Sequence, residues 1–216
     1  MSDSSAPSPL RPATPDDAPR IAEIYAPFCG DSPVSFEIEP PTAAQISERV
    51  ARYQATHPWL VAEDDCSVLG YVYASPHRDR AAYRWSVDVA AYFDAAFRRR
   101  GLGRWMYETL FELLTWQGFH AAHAGITVPN EASVGLHEAL GFVLIGIYPA
   151  VGYKAGAWRD VGWWQRRLGP RAGAVLDPPG EPVWAATARS DPAWLAILDR
   201  ANRRAPGSSA QRSASQ

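Results

Sequence analysis

The stretch Arg98-Arg99-Arg100-Gly101-Leu102-Gly103-Arg104 decides the reading of this chain. It follows a strand-like run, Ser86 to Phe93, and precedes a helix-like run, Trp105 to Trp116. Two glycines let a backbone turn tightly and a ligand come close. The first turn of the following helix offers unpaired N–H groups and the positive end of its dipole. With four arginines around that point, the stretch predicts a phosphate or pyrophosphate site.

The identity of that ligand follows partly by elimination. A Walker loop needs GxxxxGK[ST], and the single lysine, Lys154, lies far downstream. A dinucleotide fingerprint needs GxGxxG, and Met106 stands at its third glycine. The spacing Arg98-x-x-Gly101-x-Gly103 remains, and it resembles the acyl-coenzyme A loop of the GNAT acetyltransferases. The plainer reading, a basic helix start with a glycine turn, stays open on the loop alone.

Other segments share the resemblance, in order and spacing. They are Leu10–Thr14, Val34–Glu37, His57–Glu63, Gly70–Ala74, Arg80–Ser86, Gly118-Phe119, Pro129-Asn130, His137–Phe142 and Gly156–Gln165. Together they resemble the phosphinothricin N-acetyltransferase branch of the GNAT superfamily over residues 9–168. The resemblance implies an α/β GNAT fold, with a mixed, mostly antiparallel central sheet flanked by helices.

Bulk properties agree with a soluble globular protein. At 216 residues the chain suits one well-buried domain. Its 47% hydrophobic and 20% charged content is that of a soluble protein. A formal charge of −2 argues against a general nucleic-acid binder, since no excess positive field holds a polyanion. Met1–Pro9 lacks an apolar signal core and no stretch is long enough to span a bilayer, so no membrane is expected. The cysteines, Cys29 and Cys66, stand alone, and a reduced cytoplasmic protein is expected over one with a disulfide.

Along the chain, residues 1–8 read as a flexible arm and Leu10–Ala13 as a first strand. Thr14-Pro15-Asp16-Asp17 starts a helix carrying Ile21, Ile24, Tyr25 and Phe28 at core spacing. Thr42 with Gln45 is a capping-box pattern opening a second helix. Strands follow at 59–62, 67–74 and 82–93, then a helix at 102–116, a strand at 121–128, a helix at 131–140, and strands at 142–148 and 158–168. Beyond Gly169 the composition turns to Pro, Ala, Gly and Ser, predicting a mobile tail with a short helix near 191–203.

The resemblance assigns roles residue by residue. The backbone of Ala90, Ala91, Tyr92 and Phe93, the loop Arg98, Arg99, Arg100, Gly101, Leu102, Gly103 and Arg104, and Asn130 would hold acetyl-CoA. Asn130 is equally well explained as a helix cap. His137 stands where the branch carries a histidine acid beside the sulfur; a hydrogen-bonded helix histidine is the alternative. Asp88 stands where the family has a glutamate base, and is shorter by one methylene, roughly 1.5 Å. An aspartate paired with Arg84 is the alternative. Phe36, Arg80, Tyr83 and Trp85 match the substrate pocket, and an arginine fork suits a carboxylate. His77 replaces a family aromatic. His120-x-x-His123 suggests a metal only weakly, with no third ligand in sequence reach, so surface or cap histidines and no metal are expected.

The implied activity is acetylation of the α-amino group of a small amino acid, or of its phosphinothricin, methionine sulfoximine or sulfone type analogue, by a homodimer. A different small amine, or an acyl-CoA-binding module without turnover, remains the alternative.

Overall fold

The computed structural model describes residues 8–64, 67–97, 101–169 and 179–206. Among them, seven strands form one sheet in the order β1-β2-β3-β4-β5-β7-β6. The strands are β1 (Ser8–Pro12), β2 (Trp59–Glu63), β3 (Val68–Pro76), β4 (Ser86–Phe93), β5 (Ala121–Val128), β6 (Val143–Lys154) and β7 (Ala157–Arg167). The β4–β5 contact is parallel and the other neighbours run antiparallel, as the resemblance implies.

Period-two burial builds two cores, one on each sheet face. Leu60, Ala62, Val72, Ala74, Val87 and Val89 face α3 (Leu102–Gln117), where Met106, Leu110, Leu113 and Leu114 are buried. Trp59, Val61 and Tyr71 face α1 (Ala18–Tyr25) and α2 (Ala43–Gln54) through Ile21, Ile24, Ile46 and Val50. Each such side chain contributes about 1.5–3 kcal/mol when fully buried. The Thr42 box forms: its hydroxyl accepts from the Gln45 N–H at 3.3 Å, and Gln45 Oε1 accepts from the Thr42 N–H at 2.8 Å.

Three sequence readings need correction. The expected strand over 82–85 is absent: Ala81–Tyr83 is a 3-10 turn, and β4 begins at Ser86. Its partner β3 ends at Pro76, which has no N–H to extend the ladder. The expected strand ending at Tyr148 runs on to Lys154, because Ala155 (φ 50°) and Gly156 (φ 72°) make a tight hairpin turn into β7.

The third correction concerns the tail. Over 179–206 the chain packs onto the body and is no mobile tail. After α4 (Glu131–Ala139) come α5 (Ala185–Ala188) and α6 (Pro192–Arg203). Trp194 is 1% exposed. The Trp105 indole N–H donates to Ala201 O at 2.8 Å. Asn202 accepts from the Leu10 N–H at 2.8 Å and donates to Leu10 O at 3.2 Å, covering an edge of the sheet at β1. Most of the arm (1–7), and 170–178 and 207–216 of the tail, lie outside the described residues.

Candidate active site

β4 and β5 stay paired only from Ser86↔Ala121 to Asp88↔His123. Beyond that register both strands continue, β4 to Phe93 and β5 to Val128, with no pairing between them. The sheet therefore opens at Asp88, and the β5-facing backbone groups of 90–93 have no strand partner on that side among the described residues. The Gly101–Arg104 turn lies at the start of α3, one short connection beyond β4. Gly101 is the N-cap residue in left-handed conformation (φ 79°), which glycine adopts without strain.

The glycines have different reasons. A Cβ on Gly103 would meet Leu136 Cδ2 at 3.2 Å and the Phe93 ring at 3.6 Å, so this glycine lets α3 approach α4 and the end of β4. Arg104 bonds Glu108 at 3.3 Å and Ala139 O at 3.3 Å, tying α3 to α4. Arg98, Arg99 and Arg100 lie outside the described residues. Asn130 caps α4, accepting from the Ser133 N–H at 3.2 Å.

Asp88 is paired with His77 and not with Arg84. Its Oδ1 lies 2.6 Å from His77 Nδ1. Burial pushes its carboxyl pKa upward, with the His77 hydrogen bond opposing. Arg84 instead bonds Glu181 at 2.5 Å. His77 stacks on His123, ring centroids 4.2 Å apart and planes 17° from parallel. Edge contacts to Tyr83 at 6.0 Å and Trp163 at 5.8 Å close the cluster.

His123 is a buried residue, 8% exposed, and not the expected surface or cap histidine. The parallel register sets it beside Asp88, which no local sequence signal reveals. Burial, with His77 and Arg78 acting in the same direction and a hydrogen bond to the Val87 backbone opposing, pushes its pKa down to about 4, so it is neutral at pH 7. Ligand atoms of His77, Asp88 and His123 lie within 4.8 Å of one another, so a third group does stand in reach. The arrangement is that of a hydrogen-bonded pair with a stacked ring.

The other expected residues divide. Tyr83 joins the cluster. Phe36 packs on Gly152 of β6, and its loop is clasped by Lys154 Nζ, which donates to Ser35 O and, at 2.7 Å, to Glu37 O. Arg80 caps the turn beside Tyr83 and is exposed. Trp85 is not brought to the cluster: its indole N–H donates to Gly180 O at 2.8 Å, committing it to the C-terminal segment. His137 is 5% exposed, with Nδ1 donating to Ser133 O at 2.8 Å and Nε2 3.2 Å from the Tyr107 hydroxyl. Burial pushes its pKa down, with the Ser133 bond opposing.

Comparison with known proteins gives this geometry its relatives. Residues 10–163 match the model of the Acetyltransferase (GNAT) domain. The chain belongs to the GNAT acetyltransferase family. This GNAT protein is an N-acetyltransferase, and it is 41% identical to a phosphinothricin N-acetyltransferase of Streptomyces viridochromogenes, over 77% of this chain and 91% of that one. It is 34% identical to an L-methionine sulfoximine/L-methionine sulfone acetyltransferase of Pseudomonas paraeruginosa, over 76% and 97% of the two chains. A phosphinothricin acetyltransferase from Sinorhizobium meliloti, solved in complex with AcCoA, superposes with a TM-score of 0.75 at 34% identity, covering 82% of this chain and 95% of that one.

Proposed function

We propose that the protein transfers the acetyl group of acetyl-CoA to the α-amino group of a small amino acid, or of its phosphinic, sulfoximine or sulfone analogue. The observation that carries this reading is Asp88: it sits where β4 and β5 part, ahead of the Gly101–Arg104 turn. The acetyl-CoA thioester would supply an activated acetyl carbon. The amides at the start of α3 would bind its pyrophosphate, the open backbone of 90–93 its pantetheine arm, and Asn130 would assist as well as cap. Asp88 provides the negative charge that draws and helps deprotonate the amine. On the thiolate side we assign His137: with Nδ1 donating to Ser133 O, its Nε2 lone pair would take the second proton released by the attacking nitrogen and pass it to the departing sulfur. The acceptor pocket is proposed to be Phe36, Arg80 and Tyr83, Trp85 being bonded to Gly180 instead.

Two expected results bear on the binding roles. Gly103→Val should weaken acetyl-CoA at least tenfold, about 1.4 kcal/mol, by pressing on Leu136 and Phe93 and narrowing the approach to the first-turn amides. Calorimetry on the folded variant checks this, and unchanged affinity contradicts it. Arg80→Ala should raise KM for the amino acid while leaving acetyl-CoA affinity alone. In a thiol-release assay across an amine panel, free amino acids should be used in preference to their amides or to polyamines, whose cations would face Arg80. Equal use of the amide removes the carboxylate clamp.

We further propose a cytoplasmic homodimer. Among the described residues, β6 and its turn into β7 expose Val143 (64%), Ile145, Ile147, Val151, Tyr153 and Trp158 (65%), an apolar edge of the kind a second subunit covers. Trp164 is core, so it adds nothing to that surface. Sedimentation at micromolar concentration should give a dimer; a monomer contradicts this.

A further inference from the structure

His77 and Asp88 meet in space where β4 and β5 part. We propose that His77 is the residue that accepts the proton from the substrate's ammonium group, with Asp88 as the carboxylate that orients and balances it. This deepens the acetyltransfer reading and rests on it.

The 2.6 Å contact between Asp88 Oδ1 and His77 Nδ1 sets the tautomer. An ionised carboxylate only accepts hydrogen bonds, so the imidazole proton sits on Nδ1 and the lone pair on Nε2. Nε2 has no hydrogen-bond partner among the described residues. The ring cannot swing freely: His123 lies against its face, and Tyr83 and Trp163 meet it edge-on. Its side chain is 14% exposed, and that of Asp88 30%. The imidazole, less exposed than the carboxylate it bonds, presents its lone-pair nitrogen on the side of the ring away from Asp88.

An imidazole is the side-chain group most often used for such a proton transfer. Of the charged groups facing the pair, Asp88 favours the exchange and the Arg78 cation opposes it. Asp88 from β4 offsets the positive charge His77 gains. His123 from β5 is neutral at pH 7, its pKa pushed down to about 4. Arg78, from the loop that carries His77, acts on both Asp88 and His123, and its guanidinium lies over the Trp163 ring at 5.4 Å. Tyr83 is the remaining titratable neighbour, at the ring edge.

The step balances. One ammonium proton passes to His77 Nε2 and later to solvent. The freed nitrogen lone pair forms the bond to the acetyl carbon as the carbon–sulfur bond breaks. The second nitrogen proton leaves with the sulfur, so the products are the amide and a thiol.

The test combines kinetics with a measurement that needs no substrate. His77→Phe keeps a planar ring in the stack and removes both nitrogens. It should retain acetyl-CoA affinity and lower kcat by about 10²–10⁴. In nitrogen NMR of the unliganded protein, the His77 signals, identified by their loss in His77→Phe, should report the proton on Nδ1, and Asp88→Asn should remove that preference. His77→Phe within about threefold of wild-type kcat at neutral pH overturns the proposal. So does a proton on Nε2, or activity lost to a chelator and restored by a divalent cation, because an ion would displace the Nδ1–Oδ1 bond. If the wild-type protein acetylates no amino acid, the acceptor reading falls. The tautomer measurement still decides the Asp88–His77 pair.

Discussion

Asp88→Asn should depress kcat by about 10²–10⁴ while acetyl-CoA affinity stays at the wild-type value. The amide keeps the shape of the side chain but loses the charge that draws the amine and holds the His77 proton on Nδ1. The deficit should shrink at high pH, where the free amine needs no base. Burial raises the Asp88 pKa, with the His77 bond opposing, so the wild-type acid limb should begin at higher pH than an exposed carboxylate would give. The sign for stability is the reverse of that for activity. A carboxyl whose folded pKa is raised contributes stability below its unfolded pKa, and loses it as pH rises through the folded value. At neutral pH the charged Asp88 therefore destabilises the fold, and Asp88→Asn should be at least as stable as wild type. Asp88→Glu should remain active if charge at this place is what matters. Near-full activity of Asp88→Asn at neutral pH would make Asp88 a structural residue.

Trp194→Ala should lower folding stability by about 3–5 kcal/mol, the usual result of emptying a fully buried tryptophan site. The indole is 1% exposed, and its ring meets Trp116 of α3 edge-on, centroids 6.0 Å apart. The α6 helix it anchors also supplies Ala201 O to Trp105 and Asn202 to the β1 edge, so loosening it should disturb both. A urea-unfolding midpoint unchanged by the substitution would show that 192–203 is an appendage rather than part of the core.

Much of the fold was legible because its signals are local. The Thr42–Gln45 box, the alternation through Trp59–Ala62, and the glycine at the head of α3 each act within a few residues, and the helices and strands they mark formed. The errors came where a distant partner decides. β4 starts late because Pro76 ends its neighbour's ladder. Residues 179–206 read as a tail from composition, yet Trp194, Ala185 and Ala188 fill core space that only the folded body provides. The site divides along the same line. Asp88 and the glycine loop could be placed from their strand and helix. The Asp88–His77 bond joins residues 11 apart across a turn, and His123 reaches them through a parallel register. No periodicity in the sequence encodes either contact. The Trp85 contact is of the same kind: its partner, Gly180, lies 95 residues away.

The central claim, acetyl transfer to an α-amino group, is tested most directly by the products. Wild-type protein incubated with acetyl-CoA and methionine sulfone should form free thiol and the N-acetylated amino acid in equal amounts, with NMR placing the acetyl group on the α-nitrogen. Thiol released without that product, or no thiol released with any amino acid of the panel while acetyl-CoA still binds, would contradict the account.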